Sequence, residues 1–178
     1  MTTSSYLRIF ALTLIVILTL GACGGSTATT EATVAVDSPL AVAADTVWGP
    51  FNVPEDQRGG QVCVLGSRFP RNSEIVWRAR VFDPDTEAEL DDASASVEVR
   101  LADGQVFEMR YGAHPRENPT DFFWTASFDI PIDYPSGTLN YEIVATSTDN
   151  RVGTFAPFNV APSLLTVTED VLETIPEG

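Results

Sequence analysis

The chemistry open to this chain is narrow, and one stretch holds most of it. "YGAHPRENPTDFFW", residues 111–124, carries the single histidine, His114, with Arg116, Glu117 and Asp121 close by. A histidine among acids can move protons, but catalysis also needs a nucleophile or a second base held in place. No Gly-x-Ser-x-Gly elbow lies nearby, so a triad built on His114 has no nucleophile in view. Gly112 permits a sharp exit, and Pro115 and Pro119 fix φ and remove two backbone donors. Asn118, before a proline, is pushed towards an extended backbone. The stretch reads as a stiff loop between two strands, with Tyr111, His114, Arg116, Glu117 and Asp121 as candidate partner contacts. The simpler reading leaves Phe122 and Trp124 in the core, Phe123 on the opposite face and His114 bonded to its own loop.

The second reactive-looking stretch is "DPDTEAELDD", residues 83–92. Asp83, Asp85 and Glu87 alternate, and hard oxygen ligands in that pattern can hold Ca²⁺. The EF-hand spacing and its central glycine are missing, and Asp-Pro-Asp-Thr also makes a good type I turn. The expectation is therefore no cofactor, with calcium on those three acids as the alternative. One histidine excludes blue-copper and histidine-rich zinc sites in a monomer. Nothing matches a P-loop or a dinucleotide fingerprint. The chain has no lysine, so neither a Schiff base nor a Lys–Asn crosslink can form. Spacing singles out no pair among the 25 acids for glycoside hydrolysis. Together these absences point to a protein that is not an enzyme.

Strands must position these residues. "EIVWRARVFD" (74–83) sets Ile75, Trp77, Ala79 and Val81 on one face and Val76, Arg78, Arg80 and Phe82 on the other. "ASVEVRLAD" aligns Val97, Val99 and Leu101, and the Asp103-Gly104 turn leads into "QVFEMRY" with Phe107, Met109 and Tyr111 on one side. "FFWTASFDI" aligns Phe122, Trp124, Ala126, Phe128 and Ile130; "TLNYEIVAT" aligns Leu139, Tyr141, Ile143 and Ala145. "QVCVL" (61–65) reads as a short strand with Cys63 as a small buried apolar residue, and "VGTFAPFNV" closes the set. About seven strands joined by Gly, Pro, Asp and Asn turns predict an all-β, antiparallel β-sandwich, with a closed barrel as the alternative.

Three segments carry a likeness: "SEIVWRARVFDPDTEAEL", "VEVRLADGQVFEMRYG" and "IDYPSGTLNYEIVATSTDNRVGTF". In these the chain resembles the immunoglobulin-like and fibronectin-like modules of exported bacterial proteins. The resemblance implies a sandwich core around Trp77; the cysteine pair of true immunoglobulin domains is absent. It gives architecture and not function.

The start of the chain is a separate signal. Arg8, the apolar run Ile9–Leu20 and the small residues Gly21 and Ala22 have the order of a secretory signal peptide. The ending "LGAC" resembles the lipobox of bacterial lipoproteins, which implies that Cys23 is lipidated and becomes the mature N-terminus. Diacylglycerol and palmitate-like chains contribute roughly 0.8 kcal/mol per buried CH₂ and hold a domain at a membrane. Loss of residues 1–22 leaves nine arginines against 25 acids, a net charge of −16. Such a surface repels phosphate backbones and anionic headgroups, so nucleic acid is not a partner and the domain stands off its membrane.

The expected organisation is a signal peptide (1–22), a lipidated end and flexible linker (23–46), the sandwich (47–168) and an acidic tail (169–178); the apolar stretch 163–167 is expected to add to an edge strand, and the end to be loose or a short helical turn from near Thr168. The expected role is a lipid-anchored, extracytoplasmic module that binds another envelope protein or an external ligand. The alternative is a carbohydrate-binding module using Trp48, Trp124 or Tyr111 as a stacking platform.

Overall fold

Alternation is cleanest in the strand Glu74–Phe82, where Ile75, Trp77, Ala79 and Val81 are all buried, as their spacing predicts. A computed structural model describes residues 39–115 and 118–174. Among them are eleven strands: β1 (Ala41–Trp48), β2 (Arg68–Arg71), β3 (Glu74–Phe82), β4 (Ala95–Leu101), β5 (Val106–Glu108), β6 (Arg110–His114), β7 (Asp121–Asp129), β8 (Gly137–Thr138), β9 (Tyr141–Ser147), β10 (Val152–Phe155) and β11 (Thr166–Val171).

Two four-stranded antiparallel sheets, ordered β1-β3-β7-β6 and β10-β9-β4-β5, supply the main core. These are the A-B-E-D and G-F-C-C′ orders of the immunoglobulin sandwich, and neither sheet closes into a barrel. The strand predicted as "QVFEMRY" is divided. β5 pairs with β4 in the second sheet, the buried Met109 follows, and β6 pairs with β7 in the first. Trp77, Ile75, Val81, Val99 and Ile143 are fully enclosed, and each of the four aliphatic side chains among them stabilises the fold by roughly 1.5–3 kcal/mol. Trp77 lies 5.9 Å from Phe107 and 5.7 Å from Tyr141, ring centre to ring centre. A third sheet, β2-β11-β8, lies where β3 begins and β7 ends, and Phe69, Leu165 and Val167 join the same core from it.

Several expectations are corrected. Residues 41–46, expected in the linker, form most of β1, because Leu40, Val42 and Ala44 have core to cover. "QVCVL" is not a strand. A 3₁₀ turn, Glu55–Gln57, and the one-turn helix α1, Arg58–Gln61, precede an exposed Cys63 at φ +64°; residues 63–66 then run briefly along β1, with a single bridge at Leu65, opposite Val47. Phe122 shares Trp124's face but is 47% exposed, because it sits near the open end of β7. The apolar stretch 163–167 runs into a strand as expected, but that strand, β11, lies between β2 and β8 instead of at an edge and replaces the loose end or helical turn near Thr168. The signal peptide and Cys23 lie outside the described residues, as do Arg116 and Glu117.

Candidate functional site

The outer face of the first sheet carries the densest polar arrangement, and cross-strand register builds it. On β3, Arg78 and Arg80 point away from the core because Trp77, Ala79 and Val81 point into it. β1 sets Asp45 opposite Arg78, and β6 sets His114 opposite Asp121 of β7. Arg78 donates from Nε to Asp45 Oδ1 at 2.7 Å and from Nη2 to Oδ2 at 2.8 Å, a planar fork that an ammonium could not reproduce. Its guanidinium lies 5.6 Å from the centre of the Phe123 ring. His114 stacks on Phe123 with centroids 4.1 Å apart and planes 10° from parallel.

The result is a row of side-chain contacts that crosses all four strands on a diagonal, one register step offset at Phe123: Asp45, Arg78, Phe123, His114. One step nearer the open end, Arg80 donates to Asp121 and, at 3.3 Å, to Glu89. The hydrogen bonds that Arg78 donates to Asp45 hold its guanidinium above the usual pKa, against the opposing effect of burial. Both ion pairs are partly open to water, so each contributes about 0–1 kcal/mol, and the cation–π contact a similar amount. A shallow depression of about 310 Å³ lies over Ala43, Arg78, Arg80, Asp121 and Phe123. Its walls offer guanidinium donors, carboxylate acceptors and apolar surface, which is recognition chemistry; no hydroxyl or thiol lines it.

The expected contact residues are therefore divided. His114 and Asp121 share this face. Tyr111, three residues before His114, is half-buried on the opposite face, 5.4 Å from the Trp124 ring and 6.1 Å from Phe122. Burial, with Glu89 and Asp91 nearby, raises the Tyr111 pKa. Arg78, Asp45 and Phe123 were not singled out from the sequence. Only register brings them together; their alternation with core residues was the available signal.

The acidic loop is organised around a residue 68 positions away. Arg151 Nη1 donates to Asp83 Oδ1 at 2.9 Å and Nη2 to Oδ2 at 3.0 Å, while Nε donates to Asp149 at 2.9 Å and Nη1 also reaches Asp85 at 3.4 Å. These bonds hold the Asp83 carboxyl far below the usual range. A calcium ion on Asp83 and Asp85 would have to displace that guanidinium. Glu87 lies exposed in the following turn at φ +59°, and among the described residues no three His, Cys, Asp or Glu side chains converge as metal ligands.

The stacking platform is corrected too. Trp124 is buried and donates Nε1–H to the Leu90 carbonyl at 3.1 Å. Trp48 is half-buried, 5.0 Å from Phe69, and Tyr111 is half-buried. The three present no open coplanar pair.

No protein-family model matches the chain, and no curated protein matches it at a significant level. Among solved structures, it is similar to a DUF4426 family protein from Pseudomonas aeruginosa at 15% identity, over 67% of this chain and 85% of that one, with a TM-score of 0.36. That likeness is too distant to bear on family or function.

Proposed function

We propose that the chain is an exported lipoprotein, held by lipid on Cys23 at the extracytoplasmic side of a membrane, whose sandwich binds another envelope protein without catalysis. The observation that carries the binding role is the Asp45–Arg78–Phe123–His114 row: a pre-ordered mixed surface with its charges in pairs. Such a surface loses little side-chain entropy on contact, and its ions need not find new partners. β1 begins at the end of the sheet that carries His114 and Asp121, because Ala41 pairs with Phe82 and His114 with Asp121.

The test is crosslinking in intact cells, followed by detergent extraction of the full-length protein. A discrete crosslinked species that weakens at least tenfold in His114→Ala/Phe123→Ala supports the reading. A species indifferent to that change overturns the site. Release of Cys23→Ala from the membrane fraction, with loss of radiolabelled palmitate, supports the anchor; retention of both overturns it.

A further inference from the structure

The two sheets do not meet along their whole length on the β1/β10 side. β1 and β10 are edge strands, each with one ladder partner. They touch where Gly153 lies against Leu40. Beyond that contact they diverge around a cleft of about 560 Å³. Its floor includes Tyr141, its β1 wall is Ala44–Thr46, and Leu65, Phe155 and Phe158 stand along its sides. Leu65 is 66% exposed and Phe158 81%, two large apolar side chains open to solvent on one cleft.

The upper part of the same β1 edge is already occupied in strand fashion. Trp48 N–H donates to the Val64 carbonyl, Cys63 N–H to the Trp48 carbonyl and Gly66 N–H to the Thr46 carbonyl, at 2.8–3.0 Å. That segment peels away after Gly66 to begin β2 at Arg68. By the two-residue alternation of a ladder, Ala44 is the next residue whose N–H and carbonyl point off this edge. Among the described residues none pairs with them across the cleft.

We propose that this cleft binds an extended segment of another polypeptide, apolar at alternate positions and flanked by lysine or arginine, which continues the β1 edge where residues 63–66 leave it. The ladder geometry specifies a strand, and the apolar walls specify what its inward side chains are. Charge selects the occupant. The chain carries a net charge of −15, which sets the field around the cleft; Asp45, the charged residue in its lining, is already held by Arg78. A second copy brings the same negative charge, and an anionic lipid surface is repelled likewise; a basic-flanked peptide is attracted. The inference adds a second surface to the binding role proposed above and does not depend on the anchor at Cys23.

The test uses detergent-solubilised full-length protein and a fluorescein-labelled Lys-Lys-Val-Thr-Val-Thr-Val-Lys-Lys peptide, followed by anisotropy. Saturable binding is expected. It weakens at least tenfold with Leu65→Glu and with Ala44→Pro, which removes an outward amide, and with glutamates replacing the peptide's lysines. Phe123→Ala should leave it unchanged, which separates this cleft from the row on the outer face. Absence of peptide binding, or binding indifferent to both Leu65→Glu and Ala44→Pro, overturns the proposal. Self-association at this edge, seen by sedimentation and abolished by Leu65→Glu, in place of peptide binding also overturns it.

Discussion

Arg151 grips Asp83 through two parallel hydrogen bonds, Nη1 to Oδ1 at 2.9 Å and Nη2 to Oδ2 at 3.0 Å, and so ties the β9–β10 turn to the loop that follows β3. Little of either side chain reaches water: 15% for Arg151 and 11% for Asp83. Removing the cation leaves a largely enclosed carboxylate with no counter-charge of this quality.

Arg151→Ala should therefore lower the melting temperature by several degrees at pH 7, and Arg151→Lys by less, since it keeps the charge but not the fork. The folded pKa of Asp83 is depressed, so its contribution is complete above the unfolded value near 4 and fades as pH falls below it. The gap between the melting temperatures of the wild type and Arg151→Ala should accordingly begin to narrow below about pH 4 and keep narrowing to the lowest pH at which both still fold. Curves that stay parallel to pH 2 would show that the pair contributes nothing through charge.

Glu74 has the opposite sign. Burial raises its pKa and Asp129 across the ladder adds repulsion, while the Phe51 amide and Ser127 bond to it and partly offset this. The charged form is disfavoured in the fold, so this group's effect on stability improves as pH falls from neutral through its raised pKa. Glu74→Gln, which still accepts from the Phe51 amide, should raise the melting temperature at pH 7 by roughly 1–2 °C, water screening the rest. The gain should shrink as pH is lowered towards 4; a gain that grows on acidification would refute the assignment.

These two acids also show where sequence reading stops. The alternation of Ile75, Trp77, Ala79 and Val81 is legible because each lost or kept contact with water follows from position in β3 alone. The partners of Asp83 and Arg78 are not legible, since Arg151 and Phe123 reach them only through strand order and register. That Tyr111 and His114 face opposite ways was available from their odd spacing along one strand. Residues 61–65 misled because alternating apolar letters occur wherever a segment skirts an edge; here the contact with β1 is one bridge at Leu65 with its flanking hydrogen bonds, too short for a strand.

Cys63 gives a direct check of that correction. The thiol is exposed, so a maleimide should label it in the folded protein about as fast as in denaturant. Cys63→Ser should change stability by less than about 0.5 kcal/mol, as for an ordinary surface site. Protection from the reagent until the protein unfolds would restore the buried reading.

The seam between the sheets makes the last prediction, and two glycines separate it from generic sensitivity. A Cβ added at Gly153 would lie 2.3 Å from the Leu40 carbonyl oxygen and 2.7 Å from the Leu40 Cβ. Neither atom is the loose end of a long side chain, so the backbones of β10 and the residue before β1 must move apart. Gly153→Ala should cost about 1–3 kcal/mol, the usual range for forced overpacking. At Gly112, on β6, an added Cβ meets nothing within 4 Å, and Gly112→Ala should fall within about 0.5 kcal/mol of wild type. Chemical denaturation of both variants decides the matter, because both replace glycine within a strand and share the same change in unfolded-chain entropy. Equal losses would mean that the Leu40–Gly153 contact does not hold the sheets together; a loss confined to Gly153→Ala would make that contact the closed end from which the β1/β10 cleft opens.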